Sequence, residues 1–369
     1  MKRTTARKRI ALAACAVTAA CAACLIGATP ALAKTVKPQA SASATTAAIE
    51  KYASSNKSTT VNLVSGQTYY IDRAIRLGSN TTINATGATI IQVSSNKGSI
   101  SQRKDMLGGI QNVTINGGTW KNMGGGSGIT VMRFSHASNV QVRNLAVYDN
   151  YRSHAVEFIA CSYSSVSYCT LKAKGTKYST SVEEQVQIDV ASPATAPGVL
   201  SESGNRSLVS GQTCSNITVT GCNIRGSRGI CANKTDAYLN SYHSNIYITN
   251  NKVKGVSAEA VCLFNTMGAH VTGNKINTKA PTSRGCYSDG LAVRIMGSVP
   301  AASTSKIVIK NNKIKGGRYG VNIASMKGSS YKKVTIRGNR IHAANGSSCA
   351  IKFSSGAAKK QKVKDNAIV

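Results

Sequence analysis

The sequence predicts an all-β solenoid, short strands wound into stacked coils behind one short N-terminal capping helix. Three observations carry that expectation. A step of small polar residue, Asn, basic residue and aliphatic keeps returning: "NNKVKG" at 250–255, "GNKINT" at 273–278, "NNKIKG" at 311–316 and "GNRIHA" at 338–343. Each step follows a segment that alternates apolar and polar residues with β-branched enrichment, such as "KIVIK" (306–310) and "KVTIR" (333–337), which is a strand signal. Between successive steps lies a second alternating segment, among them "AVEFI", "QVQIDV" and "GVNIA". Where nothing is inserted the spacing is 23 to 29 residues, in the range of stacked repeats.

The elements follow in chain order. Residues 1–33 read as a secretory signal peptide: "MKRTTARKR" is a basic n-region, "IALAACAVTAACAACLIG" an apolar h-region, and Ala31-Leu32-Ala33 a small-x-small cleavage site. A secreted, extracellular protein without a transmembrane anchor is therefore expected. Residues 34–46, "KTVKPQASASATT", read as a mobile linker, and a capping helix is expected at about 45–55. The solenoid domain is expected over 47–369.

A repeat of short strands with no amphipathic helix cannot bury its apolar face alone. Stacked coils can, because neighbours lie about 4.8 Å apart and aligned residues form columns. Asn251, Asn274, Asn312, Asn339 and Asn366 should occupy one such column, their amides bonding along it and satisfying polar groups at an inward turn.

With these residues in place, the chain resembles the right-handed parallel β-helix proteins of the pectate-lyase-like superfamily over roughly 44–369. The likeness includes the opening stretch with "GQTYYI", "SNTTI" and "GATI". The resemblance implies that fold. Its functional implication is loose, since the superfamily holds glycosidases, polysaccharide lyases, esterases and non-catalytic surface proteins.

Stacking turns alignment into a ruler. On the second strand of each coil the outward column should read Glu157, Gln187, Cys231, Cys262, Arg294, Asn322 and Lys352, with Asp189 two places on from Gln187. At the strand start should lie His154, Glu184, Arg228, Glu259 and Leu291. Four of the thirteen acidic residues (Glu157, Glu183, Glu184, Asp189) fall on two adjacent coils of this face. Glycoside hydrolysis needs two carboxylates flanking the scissile bond, so Glu157, Glu184 and Asp189 are the candidate catalytic residues. His154, Gln187, Arg228, Glu259 and Arg294 are the candidate substrate-binding residues. Insertions at 172–183, 191–213 and 277–289 are expected to wall a groove around them. The paired Asp motifs and Gly-His-Gly element of the polygalacturonase-like glycosidases are absent.

Removal of the leader leaves 41 basic against 13 acidic residues, a net +28. That charge points to an extracellular polysaccharide or glycan partner, including an anionic cell-wall polymer. Four Phe and one Trp give too little aromatic interleaving for nucleic acid. The favoured function is a glycosidase. The alternatives are a lyase using Arg228, Arg294 and Lys352, with calcium as its one conceivable cofactor, and a non-catalytic glycan or cell-wall binder. No metal site is expected from the scattered His136, His243, His270 and His342. Eight cysteines remain after cleavage, an even number that favours at least one disulfide, with Cys161/Cys214, Cys169/Cys222 and Cys231/Cys262 on adjacent coils.

Overall fold

The computed structural model describes residues 32–122, 129–150, 153–174, 182–298, 305–326 and 328–369. Nearly all of the expected leader lies outside them. Among the described residues no helix is long and apolar enough to cross a membrane.

The chain winds as a right-handed parallel β-helix. Each coil gives one strand to a first sheet of twelve strands, then one to a second of eleven and, in most coils, one to a third of ten. The coil at 306–325 is representative: Lys306–Lys310, Lys313–Gly316 and Val321–Ser325. All pairings within the sheets are parallel, and aliphatics such as Ile307, Ile309, Ile314, Val321 and Ile323 fill the interior without exposure.

The recurrent Asn step is the turn between first and second sheets. Its first residue is left-handed in coil after coil: Gly221, Asn250, Gly273, Asn311, Gly338 and Asp365 have φ from 55° to 72°. Gly, Asn and Asp are the residues that tolerate that region, which explains their interchange. The second residue forms the ladder. Asn251, Asn274 and Asn312 each accept and donate along the column, with Asn274 N–H to Asn312 Oδ1 at 2.8 Å and Asn312 N–H to Asn339 Oδ1 at 2.9 Å. Cys222 and Cys169 continue it upward, the Cys222 N–H donating to Asn251 Oδ1 at 2.8 Å.

All eight described cysteines are thiols. The three expected pairs do stack on adjacent rungs, but as buried small hydrophobes rather than bridges. Burial pushes the Cys161 thiol up to about 12.

The expected linker requires correction. Leu32–Val36 forms a strand parallel to Thr59–Leu63, and Tyr69 Oη donates to the Val36 carbonyl at 2.6 Å. Ser41 then caps helix α1 (Ala42–Ala53), its Oγ accepting from the Ala44 N–H at 3.1 Å. The Ser/Ala/Thr-rich composition that suggested a linker is a helix N-terminus. Ile49 and Ala53 lie buried over the first coil, covering an end that would otherwise expose unpaired strands and core.

Candidate functional site

The outer face of the third sheet carries the acidic residues. Register there is set by a small residue just before the first inward aliphatic. Gly229, Ala260, Gly290 and Gly320 share that place, and a Cβ on Gly290 or Gly320 would stand 2.7 Å from a carbonyl oxygen of the next coil. Aligned this way, Val261 pairs with Leu291 and Phe264 with Arg294. The expected placement of Arg294 beside Cys262, and of Leu291 beside Glu259, is therefore two residues out of register. Ala292 stands beside Cys262, and Asp289 moves into the column below Glu259.

The result is a chain of ion pairs running along the solenoid. His154 Nε2 lies 3.3 Å from Glu183, and its Nδ1 bonds the Glu184 carbonyl oxygen at 2.7 Å. Arg228 donates to Glu184 at 2.6 Å and to Glu259 at 2.8 Å. Arg294 spans Glu259 at 2.8 Å and Asp289 at 2.9 Å. Asp289 also takes two bonds from Arg318 and one from Asn322 at 2.7 Å. Glu259 and Asp289 have no exposed surface. Burial alone would raise Glu259, but Arg228 and Arg294 on either side outweigh it and hold the carboxyl below its ordinary value. Such a buried network fixes geometry, because removing one partner strands a charge.

The three candidate catalytic residues are brought to one face but not to one groove. Glu184 belongs to the ion-pair chain. Glu157 accepts from Arg133 Nε at 2.6 Å and Thr130 Oγ1 at 2.7 Å. Burial opposes its ionisation, yet the Arg133 and His154 charges and these bonds leave it lowered. Asp189, one rung on and beside Ile159, accepts from Gln187 Nε2 at 2.6 Å and the Val190 N–H at 2.9 Å. Burial first, and the Glu157 charge second, raise its carboxyl well above the usual range. Glu157 is 2% exposed and Asp189 0%.

The insertion at 191–213 packs over this part of the face, against Ile159 and Arg133. It forms the short helix α2 (Pro197–Ser203) and a further helical turn, and folds back over earlier coils instead of walling its own. Val199 and Val209 pack on Leu107 and Ile159 in a second apolar cluster. Glu202 pairs with Arg76 at 2.9 Å, and His136 Nε2 donates to the Leu208 carbonyl at 2.7 Å. The insertion is a roof. Of 172–183, residues 175–181 lie outside the described residues.

One cavity of about 640 Å³ lies beside Thr130, Arg133 and Glu202, and another of about 630 Å³ lies further along, over the ion-pair chain. Its floor holds Glu184, Arg228, Arg294, Arg318 and Asn322, and its apolar rim includes Phe264, Met296 and Tyr287, the last 39% exposed and supplied by the 277–289 insertion. Of the expected binding residues, Arg228 and Arg294 line it, Glu259 lies beneath, and His154 and Gln187 do not reach it. Arg133, Asp289, Arg318 and Tyr287 are additions. The Gly290 alignment alone would have revealed Asp289.

Calcium, the lyase alternative's cofactor, finds poor ligands. The donor cluster among the described residues is His154, Glu183 and Glu184, with ligand atoms within 4.8 Å of one another. Calcium takes six to eight oxygens, whereas here one donor is an imidazole and Glu184 is committed to Arg228.

No family model matches the chain, and no curated protein matches it in sequence. Solved structures do match in fold. The surface adhesin PfbA of Streptococcus pneumoniae superposes with a TM-score of 0.63 at 15% identity, over 92% of this chain and 90% of that one. A second structure of the same adhesin gives 0.55 at 15% identity, over 92% and 99%. At this identity the likeness concerns the parallel β-helix fold.

Proposed function

We propose that this is an extracellular glycan-binding β-helix protein that takes a saccharide in the cavity above Arg228, Arg294 and Arg318. The observation that carries the reading is a concave site with a locked polar floor and an apolar rim. Its planar guanidinium, carboxylate and amide groups are held by one another, so they meet sugar hydroxyls without reorganising. Three guanidiniums (Arg228, Arg294, Arg318) face three carboxylates (Glu184, Glu259, Asp289), so the floor is charge-balanced and suits a neutral, hydroxyl-rich ligand. The leader pattern at 1–33 supports export, and the adhesin with the same fold is itself a surface protein.

The test is binding of the purified protein to a panel of neutral oligosaccharides, with Tyr287→Ala and Arg318→Ala as variants. Arg318 can be removed without stranding Asp289, which keeps Arg294 and Asn322. Both variants should weaken binding by about tenfold with little change in melting temperature. Binding by neither wild type nor variants, or binding unaffected by both, would overturn the reading.

Hydrolysis is the second reading, favoured by one observation: Glu157 lowered and Asp189 raised on adjacent rungs is the split that a base and an acid require. It demands that the 191–213 roof open. Reducing-sugar release abolished by Asp189→Asn would support it over binding alone.

A further inference from the structure

The second sheet carries a feature that the cavity does not explain. Its strands Asn223–Gly226, Lys252–Gly255, Lys275–Thr278, Lys313–Gly316 and Arg340–Ala343 point one aliphatic inward each and turn the residues on either side outward. The register stacks Lys252, Lys275, Lys313 and Arg340 in one column across four successive coils. The neighbouring column reads Arg225, Lys254, Asn277, Lys315 and His342. Neither column contains a carboxylate. Lys252, Lys275, Lys313, Lys315 and Arg340 are exposed, and among the described residues none of them is in an ion pair.

Like charges one rung apart oppose each other, at a cost of a few tenths of a kcal/mol per pair. At Lys254, partial burial first and then the charges of Arg225, Lys279 and Lys252 pull the ammonium below its ordinary value. Edge protection does not account for the columns. Charges guard open strand edges, and these strands have both edges paired. Solubility does not require charges in register either.

We propose that this strip is a second binding surface, for a linear acidic polysaccharide lying along the solenoid axis with one carboxylate on successive sugars. Four cations at a rung spacing of about 4.8 Å make a row about 14 Å long, matched to a polymer of regularly spaced single charges. Three of the four are Lys, point charges that accept a carboxylate without demanding bidentate geometry. Double-stranded DNA, with a charge every ~1.7 Å, is poorly matched to the spacing. The columns hold no Phe, Tyr or Trp, and the single imidazole of His342 at one end does not make a run on which successive unpaired bases would stack.

The experiment measures binding of the purified protein to immobilised polygalacturonate, with dextran and inorganic polyphosphate as comparisons. Lys275→Glu/Lys313→Glu is set against Lys37→Glu/Lys57→Glu, which makes the same charge change at two exposed positions far from the strip. The strip variant should bind about tenfold more weakly at low salt, with a shallower salt dependence. Its melting temperature should be unchanged or higher, because it relieves repulsion. The control variant and Tyr287→Ala should bind polygalacturonate as wild type does, and any binding of dextran should be unchanged by the strip variant. Equal loss in both charge variants would reduce the effect to net charge and overturn the proposal. Polyphosphate binding as tightly as polygalacturonate would overturn the polysaccharide assignment, and loss of binding in Tyr287→Ala would move the site to the cavity.

Discussion

Replacing Asn312 with Ala tests the ladder that stacks the coils. The Asn312 side chain makes four bonds. Its Oδ1 accepts from the Asn274 N–H at 2.8 Å and from Asn274 Nδ2 at 2.9 Å. Its Nδ2 donates to the Val271 carbonyl at 2.8 Å and to Asn339 Oδ1 at 2.9 Å. Asn274 Nδ2 keeps the Ile248 carbonyl, and Asn339 Oδ1 keeps the Asn312 N–H. The Asn274 N–H keeps nothing and is buried. An orphaned buried donor costs about 1–3 kcal/mol, and with the lost amide bonds the total is about 3 kcal/mol. Denaturant unfolding should report that loss, and hydrogen exchange should show the Asn274 amide opening faster in the variant. Asn311→Gly is the internal control. Asn311 has φ 56°, and Gly273 and Gly338 hold the same place in neighbouring coils, so this change should stay within about 0.5 kcal/mol. Unchanged exchange at Asn274, with a stability loss below about 0.5 kcal/mol, would refute the ladder's energetic role.

Glu259→Gln should cost about 3–5 kcal/mol, because it leaves Arg228 and Arg294 buried around a neutral group; a loss under about 1 kcal/mol in denaturant unfolding would mean the network is hydrated. Asp189→Asn should act with a pH signature. Its folded value is raised, so Asp189 stabilises the fold below the unfolded carboxyl value and loses that contribution as pH rises toward the folded one. The variant should therefore gain on wild type as pH rises above about 4, and a pH-independent difference would contradict the raised value. Glu157→Gln should show the opposite trend. The lowered carboxyl of Glu157 contributes above its unfolded value, and that contribution fades as pH falls through the folded one.

Much of the architecture was legible because it is periodic. The Asn step, the aliphatic alternation and the left-handed Gly/Asn/Asp position are local rules repeated from coil to coil, and the structure obeys them from Asn250 to Asp365. Cys169 and Cys222 extend the ladder, and Tyr168 takes the left-handed place one coil before Gly221. The register of Leu291–Ile295 was misjudged for a physical reason. A slip of two residues preserves which side chains point inward, so the hydrophobic pattern cannot detect it. Only the small residue at Gly290, squeezed against the next coil, marks the true alignment. The segment at 34–46 was misread because Ser and Ala serve equally in linkers and at helix N-termini. The roof at 191–213 was not legible, since its apolar contacts to Leu107 and Ile159 join segments without a shared period. The cation columns on the second sheet were already written in "NKVK", "NKIN" and "NKIK". Their significance needed the register that places them side by side.

A crystal structure of the protein soaked with the best-binding neutral oligosaccharide tests the central claim most directly. The account predicts a sugar over the Arg228–Glu259–Arg294–Asp289 floor, with a ring against Tyr287, a hydroxyl on Arg318 and the 191–213 roof in place. A sugar lying instead between Glu157 and Asp189, with the roof displaced, would contradict the binding account and make the carboxylate pair the working site.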